Sequence, residues 1–395
     1  MAFSSTWFNA INIIQEEINS LKDAFKNIFK SFTITPLTED FFITLSAKSS
    51  ELMYLTDSYK TIDIQSFCPI TIQDLNEVAI LENSIFITGN FYTNSFILAL
   101  DNCSIFNGEL KIGSSRFLSL STIGITKIHG LRIYKDRIYI SSRHGGVSLP
   151  QQFAFIYAWD FSYNKTLSLP LTTGYLGGAT DIQIYKENLY TVMSTGSPGL
   201  AYCVKIDLSL TTFSTVFSTG TVTAERVKLE SPFIIYKDLI YIPTVQNNVA
   251  GFNKLGFQVF NVNTGVLVKS VLPVDVISGG YTNTPFSHWL ALHNGKLIVT
   301  CSTNPLIKFI ARFDEATLAF EESKILPCLI TDDNTILRNG MIYLCGEDPT
   351  NGVNAKLITM YYKDFLTTYK EDPKLLFNGY GSFGAINYNI PKYEI

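Results

Sequence analysis

Imidazoles and paired carboxylates are the groups in this chain best suited to moving protons. There are four histidines, His129, His144, His288 and His293, and two acidic doublets, Asp332-Asp333 and Glu347-Asp348. Histidine suits general acid–base work because its unperturbed pKa lies close to neutrality. Two carboxyl groups can cleave a glycosidic bond when they stand about 5 Å or roughly 6.5–9.5 Å apart. His144 follows Arg143 in RHGGVSLPQQF (143–153), and His288 precedes Trp289 in SGGYTNTPFSHW (278–289). Both stretches are rich in turn formers and lie between apolar runs, so both are expected on loops. His129 precedes an apolar hairpin and His293 flanks a turn, which points to structural or solvent-facing roles for both.

Several familiar chemistries have no motif here. The chain holds no GxSxG elbow, HExxH pair, P-loop or GxGxxG fingerprint. It also lacks a repeated S-x-D-x-G-x-T-W box. The six cysteines, Cys68, Cys103, Cys203, Cys301, Cys328 and Cys345, show neither CxxC nor zinc-ligand spacing. They are expected to be free thiols, and no metal or cofactor is expected. The net charge of −4 comes without a basic cluster, which argues against a nucleic-acid partner. No run of about 18 apolar residues occurs, so no membrane insertion is expected. The N-terminal MAFSSTWFNAINIIQEE has no basic n-region and does not read as a signal peptide, which suggests synthesis in a cytoplasm.

The elements that carry these groups announce themselves by repetition. IYKD at 133–136 returns as IYKE at 184–187 and IYKD at 235–238, a spacing of 51 residues each time. Each copy is a polar turn between two alternating apolar runs, the signature of a β-hairpin. The same shape occurs in AILENSIFITG (79–89), LALHNGKLIVT (290–300), ILRNGMIYLCG (336–346) and, more weakly, LTEDFFITLS (37–46). Asn294-Gly295 and Asn339-Gly340 are type I′ turn pairs, since both central residues of that turn need positive φ. A second landmark follows each hairpin, an apolar strand ending in Asp57, Asp101, Asp160, Asp207, Asn261, Asp314 or Asp364. Asp and Asn start turns by bonding the backbone two residues on.

Each unit is thus four strands, A to D. Seven such units predict an all-β fold, a seven-bladed β-propeller over 33–395, or six blades if the degenerate first unit (33–67) is not one. The tail GSFGAINYNI (381–390) can supply a strand that closes the ring. In such blades the A–B and C–D turns share one face, and the long B–C and D–A connections share the other. Long loops on a rigid scaffold are where binding residues collect. The candidate ligand-binding residues on that loop face are Arg143, His144, Tyr175, Asn247, Tyr281, His288 and Trp289. No catalytic residue is assigned.

Residues 1–32 follow another rule. Trp7, Ile11, Ile14, Ile18, Leu21, Phe25, Ile28 and Phe32 are spaced alternately by 4 and 3, a heptad seam. Ile at both a and d positions favours trimers or tetramers over dimers. This segment is expected to be a helical stem that joins the chain to copies of itself, a homotrimer. An amphipathic helix lying across its own propeller is the alternative.

A heptad-bearing N-terminal helix, Trp7–Phe32, ahead of a β-propeller resembles the trimeric receptor-binding proteins and tail fibres of phages of Gram-positive bacteria. The likeness is architectural, and no residue-level motif carries it. It implies a non-enzymatic virion component of the tail or baseplate. Its implied partners are other tail or baseplate proteins and a host cell-surface glycan. Two alternatives stay open: a propeller polysaccharide lyase or hydrolase using Arg143, His144, His288 and Glu347, and a protein-interaction scaffold.

Overall fold

The computed structural model describes residues 13–22, 34–37, 43–46, 50–56, 59–91, 94–123, 125, 128–142, 152–162, 164–169, 179–194, 201–218, 225–226, 232–246, 254–277, 286–304, 307–326, 329–338, 341–347, 355–361, 369–372, 383–386 and 393–394. Apart from residues 13–22, which are helical, the described elements are almost entirely antiparallel strands. Seven sheets, numbered 1 to 7 in the chain order of their B strands, each contain four antiparallel strands, which follow chain order in sheets 2 to 7, arranged like propeller blades. Sheet 3, for example, runs Ile128–Tyr134, Arg137–Ser142, Gln152–Tyr157, Asn164–Ser168. These are positions A, B, C and D.

Period two explains why the B strands read as continuous apolar runs. Successive side chains point to opposite faces, and here both faces are buried against a neighbouring sheet. Ile138 and Ile140 join the core shared with sheet 2, while Tyr139 between them joins the core shared with sheet 4. Ile240 and Ile242 pack toward sheet 4, and Tyr241 toward sheet 6. The hydrophobic core is therefore a series of layers between consecutive sheets. The A strands of neighbouring sheets touch: Asp74–Leu81 with Ile128–Tyr134, then Ala179–Tyr185, Ile234–Tyr236, Phe286–His293, Leu329–Arg338 and Phe383–Ile386, which in turn touches Asp74–Leu81.

The hairpin expectation holds at the turns. Asn294 and Gly295 have φ of 47° and 71°, as a type I′ turn demands. Lys186-Glu187 and Lys237-Asp238 adopt the same positive φ without glycine. The Asp and Asn landmarks also do what their type implies. The Asp207 Oδ1 accepts from the Ser209 N–H at 2.9 Å, the Asn261 Oδ1 from the Asn263 N–H at 2.9 Å, and the Asp314 Oδ1 from the Thr317 N–H at 2.9 Å. Asp101 differs, since its carboxylate takes two bonds from the Arg116 guanidinium, at 2.6 and 2.8 Å.

Three expectations need correction. Sheet 1 takes its A strand from the C-terminal tail and not from a hairpin at 37–46. Phe383–Ile386 pairs with Ile43–Ser46, which occupies position B. The C–D connection of sheet 2 is not tight: it holds Ser104–Phe106 and Glu109–Lys111, which build a small sheet with Ile34–Pro36. Trp289 is not on a loop but inside strand Phe286–His293, where it is 3% exposed. The run that follows it is apolar enough to extend the strand back through it, and burial removes its ring as an open stacking surface.

Of the stem, only 13–22 is described, and each of these residues is exposed. Ile14, Ile18 and Leu21 are 55%, 41% and 60% exposed. The structure shows no coiled coil. Trp7, Ile11, Phe25, Ile28 and Phe32 lie outside the described residues.

Candidate functional site

The innermost strands are irregular at one end only. In sheet 2, Leu75 pairs with Gly89 and Glu77 with Thr88, which leaves Asn76 extra. In sheet 3, Ile128 pairs with Ser142 and Gly130 with Ser141, which leaves His129 extra. Sheet 4 extrudes Thr180 and Asp181 between Ala179 and Ile182. Sheet 6 extrudes His288 between Ser287 and Trp289, and sheet 7 extrudes Thr331–Asn334 between Ile330 and Thr335. In sheet 5 the A side is broken between Arg226 and Ile234, and in sheet 1 Gly384 and Ala385 stand against Leu45 alone. All seven interruptions occupy nearly the same register, near the end where the B–C and D–A connections emerge.

Bulges increase twist and re-aim side chains, and they collect at rims and beside active sites. The contact between neighbouring A strands gives a steric cause: crowding there relaxes when one strand takes up extra residues. The extruded set includes His129, His288, Asp181, Asp332 and Asp333, together with Asn76, Thr180, Thr331 and Asn334. These groups can supply acid–base chemistry, hydrogen bonding and oxygen or nitrogen ligands. The collar pairs them across seams between sheets. His129 and Asp181 lie on the touching A strands of sheets 3 and 4, and His288 and Asp332-Asp333 on those of sheets 6 and 7.

Buried hydroxyls lie directly across from three of the bulges. Thr88, Ser141 and Thr300 are completely buried, and their hydroxyls have no hydrogen-bond partner. Alternation fixes their direction. Val299 and Cys301 belong to the core facing sheet 5, so Thr300 between them points to the seam with sheet 7. Ser141 points to sheet 4, and the packing there is tight. A Cβ on Gly130, the residue after the bulge, would come within 2.8 Å of the Ser141 Oγ and 3.1 Å of the Ile182 Cγ1.

The opposite ends of the same strands are regular and cross-linked. The carboxylate of Glu187 accepts from the Tyr134 hydroxyl and, at 3.1 Å, from the Lys135 ammonium of the preceding sheet. Those two bonds hold its pKa below the usual carboxylate range. One sheet on, the Asp238 carboxylate accepts from Lys186 at 2.5 Å and from the Tyr185 hydroxyl at 3.1 Å, and its pKa is lowered first by the lysine. The IYKD repeat is thus a clamp in which Tyr and Lys of one turn grip the acid of the next.

Of the sequence-derived site residues, Arg143, His144, Tyr175, Asn247 and Tyr281 lie outside the described residues. His288 falls in the bulge of sheet 6 and Trp289 is buried beside it. Glu347 ends strand B of sheet 7, paired with Leu329, at the collar end. The structure therefore brings His288, Asp332, Asp333 and Glu347 to one side of the collar. His129, Asp181 and Asn76 were not singled out as candidates from sequence. The signal available was a polar residue just ahead of each repeated hairpin. Among residues whose side chains are described, no three His, Cys, Asp or Glu are grouped to hold a metal ion.

No family model matches the chain, and no curated protein does. Among solved structures it is similar to one from a structural and mechanistic study of two prolyl endopeptidases and the role of inter-domain dynamics in their catalysis and specificity. That match has a TM-score of 0.53 at 10% identity and covers 93% of this chain and 54% of the other. A second is an engineered GH43 glycoside hydrolase with endo-xylanase and exo-arabinofuranosidase activity, at a TM-score of 0.41 and 10% identity, covering 64% of this chain and 53% of that one. The second likeness is too loose to bear on the argument. The chain spans about half the length of each structure it matches. The structure matched at a TM-score of 0.53 is that of a peptidase and not of a fibre, which overturns the expectation of a non-enzymatic fibre or receptor-binding protein. At this identity the first likeness speaks to fold.

Proposed function

We propose that the chain is a closed seven-bladed β-propeller hydrolase that cleaves a polymeric glycan laid across the collar. The observation that carries this reading is the common register of the bulges, which sets imidazoles and carboxylates at one end of the innermost strands. The sequence has no nucleophile elbow, so the chemistry best supported is attack by water. In that step a carboxylic acid gives its proton to the leaving glycosidic oxygen as the C–O bond breaks. A base takes a proton from the water whose oxygen bonds to the anomeric carbon. We place Glu347 and His288, on the adjoining sheets 7 and 6, as the proton-transferring pair, with Arg143 binding the polymer.

Reducing-sugar release from a panel of neutral and acidic polysaccharides tests this, with a prolyl peptide substrate run in parallel. Glu347→Gln and His288→Ala are each expected to lower kcat by roughly 10²–10⁴-fold. No release from any glycan, or release untouched by both substitutions, would discard the reading. Cleavage of the peptide alone would replace the glycan with a polypeptide.

We also propose self-association through the N-terminal helix, supported by the apolar face of Ile14, Ile18 and Leu21 turned to solvent. Light scattering should give a trimer for the full chain and a monomer for a chain starting at Ser31. A monomer in both cases would end this proposal.

A further inference from the structure

We infer that the collar end of the seam between sheets 2 and 3 is a binding site for the hydroxyl groups of a sugar, formed by Asn76, Glu77, Thr88, Ser142 and Gln152. The inference deepens the glycan reading above, on which it rests for the class of ligand. Strand alternation places the side chains. Ala79, Phe86, Ile140 and Ala154 share the apolar core of this seam. Two residues nearer the collar on the same four strands stand Glu77, Thr88, Ser142 and Gln152. The A strand of sheet 3 touches strands A and B of sheet 2, so these residues line facing sides of one seam. Glu77 pairs directly with Thr88, and Asn76 is the extra residue of the bulge beside it. Across the seam the Ser142 Oγ accepts from the Gln152 N–H at 2.9 Å. Glu77 is 4% exposed, and Thr88 and Ser142 are completely buried.

The fold does not require polar residues at this level. On sheet 6, Cys301 holds the strand position that Ser142 holds on sheet 3, and it belongs with Phe309, Val245 and Leu255 to the apolar core between sheets 5 and 6. In the polar seam, the Asn76 Nδ2, Thr88 Oγ1 and Gln152 Oε1 are shielded from solvent and have no hydrogen-bond partner among the described residues. Asn76 and Gln152 are partly exposed as whole residues, so their amide tips turn inward although water is within reach. Burying polar groups unmet is costly, and a ligand that meets them offsets the cost. The three groups select its chemistry: the Asn76 N–H donates, the Gln152 oxygen accepts, and the Thr88 hydroxyl does both. A cation would meet the oxygens and leave the Asn76 N–H unmet. An anion would meet that N–H and stand against the Glu77 carboxyl. Hydroxyl groups give and take, and a sugar carries several in a fixed array. The partly exposed Asn76 and Gln152 mark the way in, at the end where the B–C and D–A connections emerge.

The test is saturation-transfer NMR on the full chain with glucose, galactose, mannose and xylose, run beside urea midpoints with and without each sugar. The expected result is saturable binding of at least one of them. Thr88→Val and Gln152→Leu should each weaken it roughly 3–10-fold, the share of one neutral hydrogen bond. Without sugar, Thr88→Val should not lower the urea midpoint, because its hydroxyl has no partner to lose among the described residues. A merely structural hydroxyl would lower it. Thr300→Val makes the same change at the same strand position on sheet 6 and should leave binding as it is. Saturation of none of the four sugars, as for a site that holds only ordered water, would overturn the inference. So would binding untouched by Thr88→Val and Gln152→Leu, or weakened equally by Thr300→Val. Polysaccharide cleavage unchanged in Thr88→Val and Gln152→Leu, with no sugar bound, would sink this site and leave the hydrolase standing. Sugar binding that both variants weaken, with no glycan cleaved, would keep the site and discard the hydrolase.

Discussion

The two ends of the same inner strands follow different rules. At the A–B turns the chain repeats itself, with type I′ geometry and a Tyr–Lys clamp on the acid of the next sheet. At the other end the strands bulge, and the extruded residues differ from sheet to sheet. Periodic residues at one end answer a periodic need, holding each sheet to its neighbour at a fixed angle. Non-periodic residues at the other end answer no such need, and that is where selection for chemistry is free to act. The IYKD string that is most visible in the sequence is therefore architecture. The residues suited to function are single, unrepeated and placed one bulge away from it.

The sharpest way to break this comparison is to take sheet 1 apart. Phe383–Ile386 completes sheet 1 from the far end of the chain, and Tyr393–Glu394 adds to the A strand of sheet 6, parallel to Leu292 and His293. Ending the chain before Phe383 should strip the first sheet of its inner strand and expose the edge of Ile43–Ser46. The expected loss is above about 4 kcal/mol, the range reserved for exceptional lesions, read as denaturant midpoint. Ending it after Ile386 should cost far less. Equal losses would mean that the last strand, and not completion of sheet 1, is what the tail contributes to stability.

Next in size is a lesion at the collar itself. Gly130→Ala puts a methyl 2.8 Å from the Ser141 Oγ and 3.1 Å from the Ile182 Cγ1. Overpacking of this kind costs about 1–3 kcal/mol. Ser141→Ala removes the nearer atom, so the double variant should recover part of the loss. Full additivity in that double-mutant cycle would show that the added methyl and the Ser141 hydroxyl do not meet there as described.

The same residues explain what could be read in advance. Hairpins and Asx turns are local, set by a few consecutive residues, so Asn294-Gly295 and Asp207 were legible. A bulge is a mismatch between two strands under crowding at the axis, and no window around His288 or His129 contains that information. Trp289 was misplaced for a related reason. Loop-forming residues lead up to it, but the seam with Thr300 decides where the strand begins. Strand A of sheet 1 was legible only as a tail with strand composition, because its partner lies more than 300 residues away.

A smaller effect separates the C–D turns from the collar by pH. Burial works against the Asp207 carboxylate, yet bonds from Ser209, Thr211 and Thr212 bring its pKa well below the ordinary range. Asp314 is lowered likewise, first by Lys296 and then by Thr317. Both folded pKa values lie below the unfolded one, about 3.9. Their stabilisation is therefore complete above that pH and is lost as pH falls through the folded values. Urea midpoints should be level between about pH 5 and 7 and fall below about 4, less steeply in D207N/D314N. An acid slope identical in that variant would assign the loss to other carboxylates.

The smallest expected effect lies in the clamp. Tyr185→Phe removes a hydroxyl that donates to the Asp238 carboxylate and accepts from the Asp238 N–H, both at 3.1 Å. Lys186 still reaches the same carboxylate, and Asp238 is open enough for water to replace what is lost. Stability should change by no more than a single ordinary hydrogen bond supplies. The proposed glycan cleavage at the collar should not change, because the clamp lies at the opposite end of strand Ala179–Tyr185 from Asp181. A marked loss of that activity in this variant would mean that the two ends are coupled through the inner strands. The separation between architecture and chemistry would then have to be abandoned.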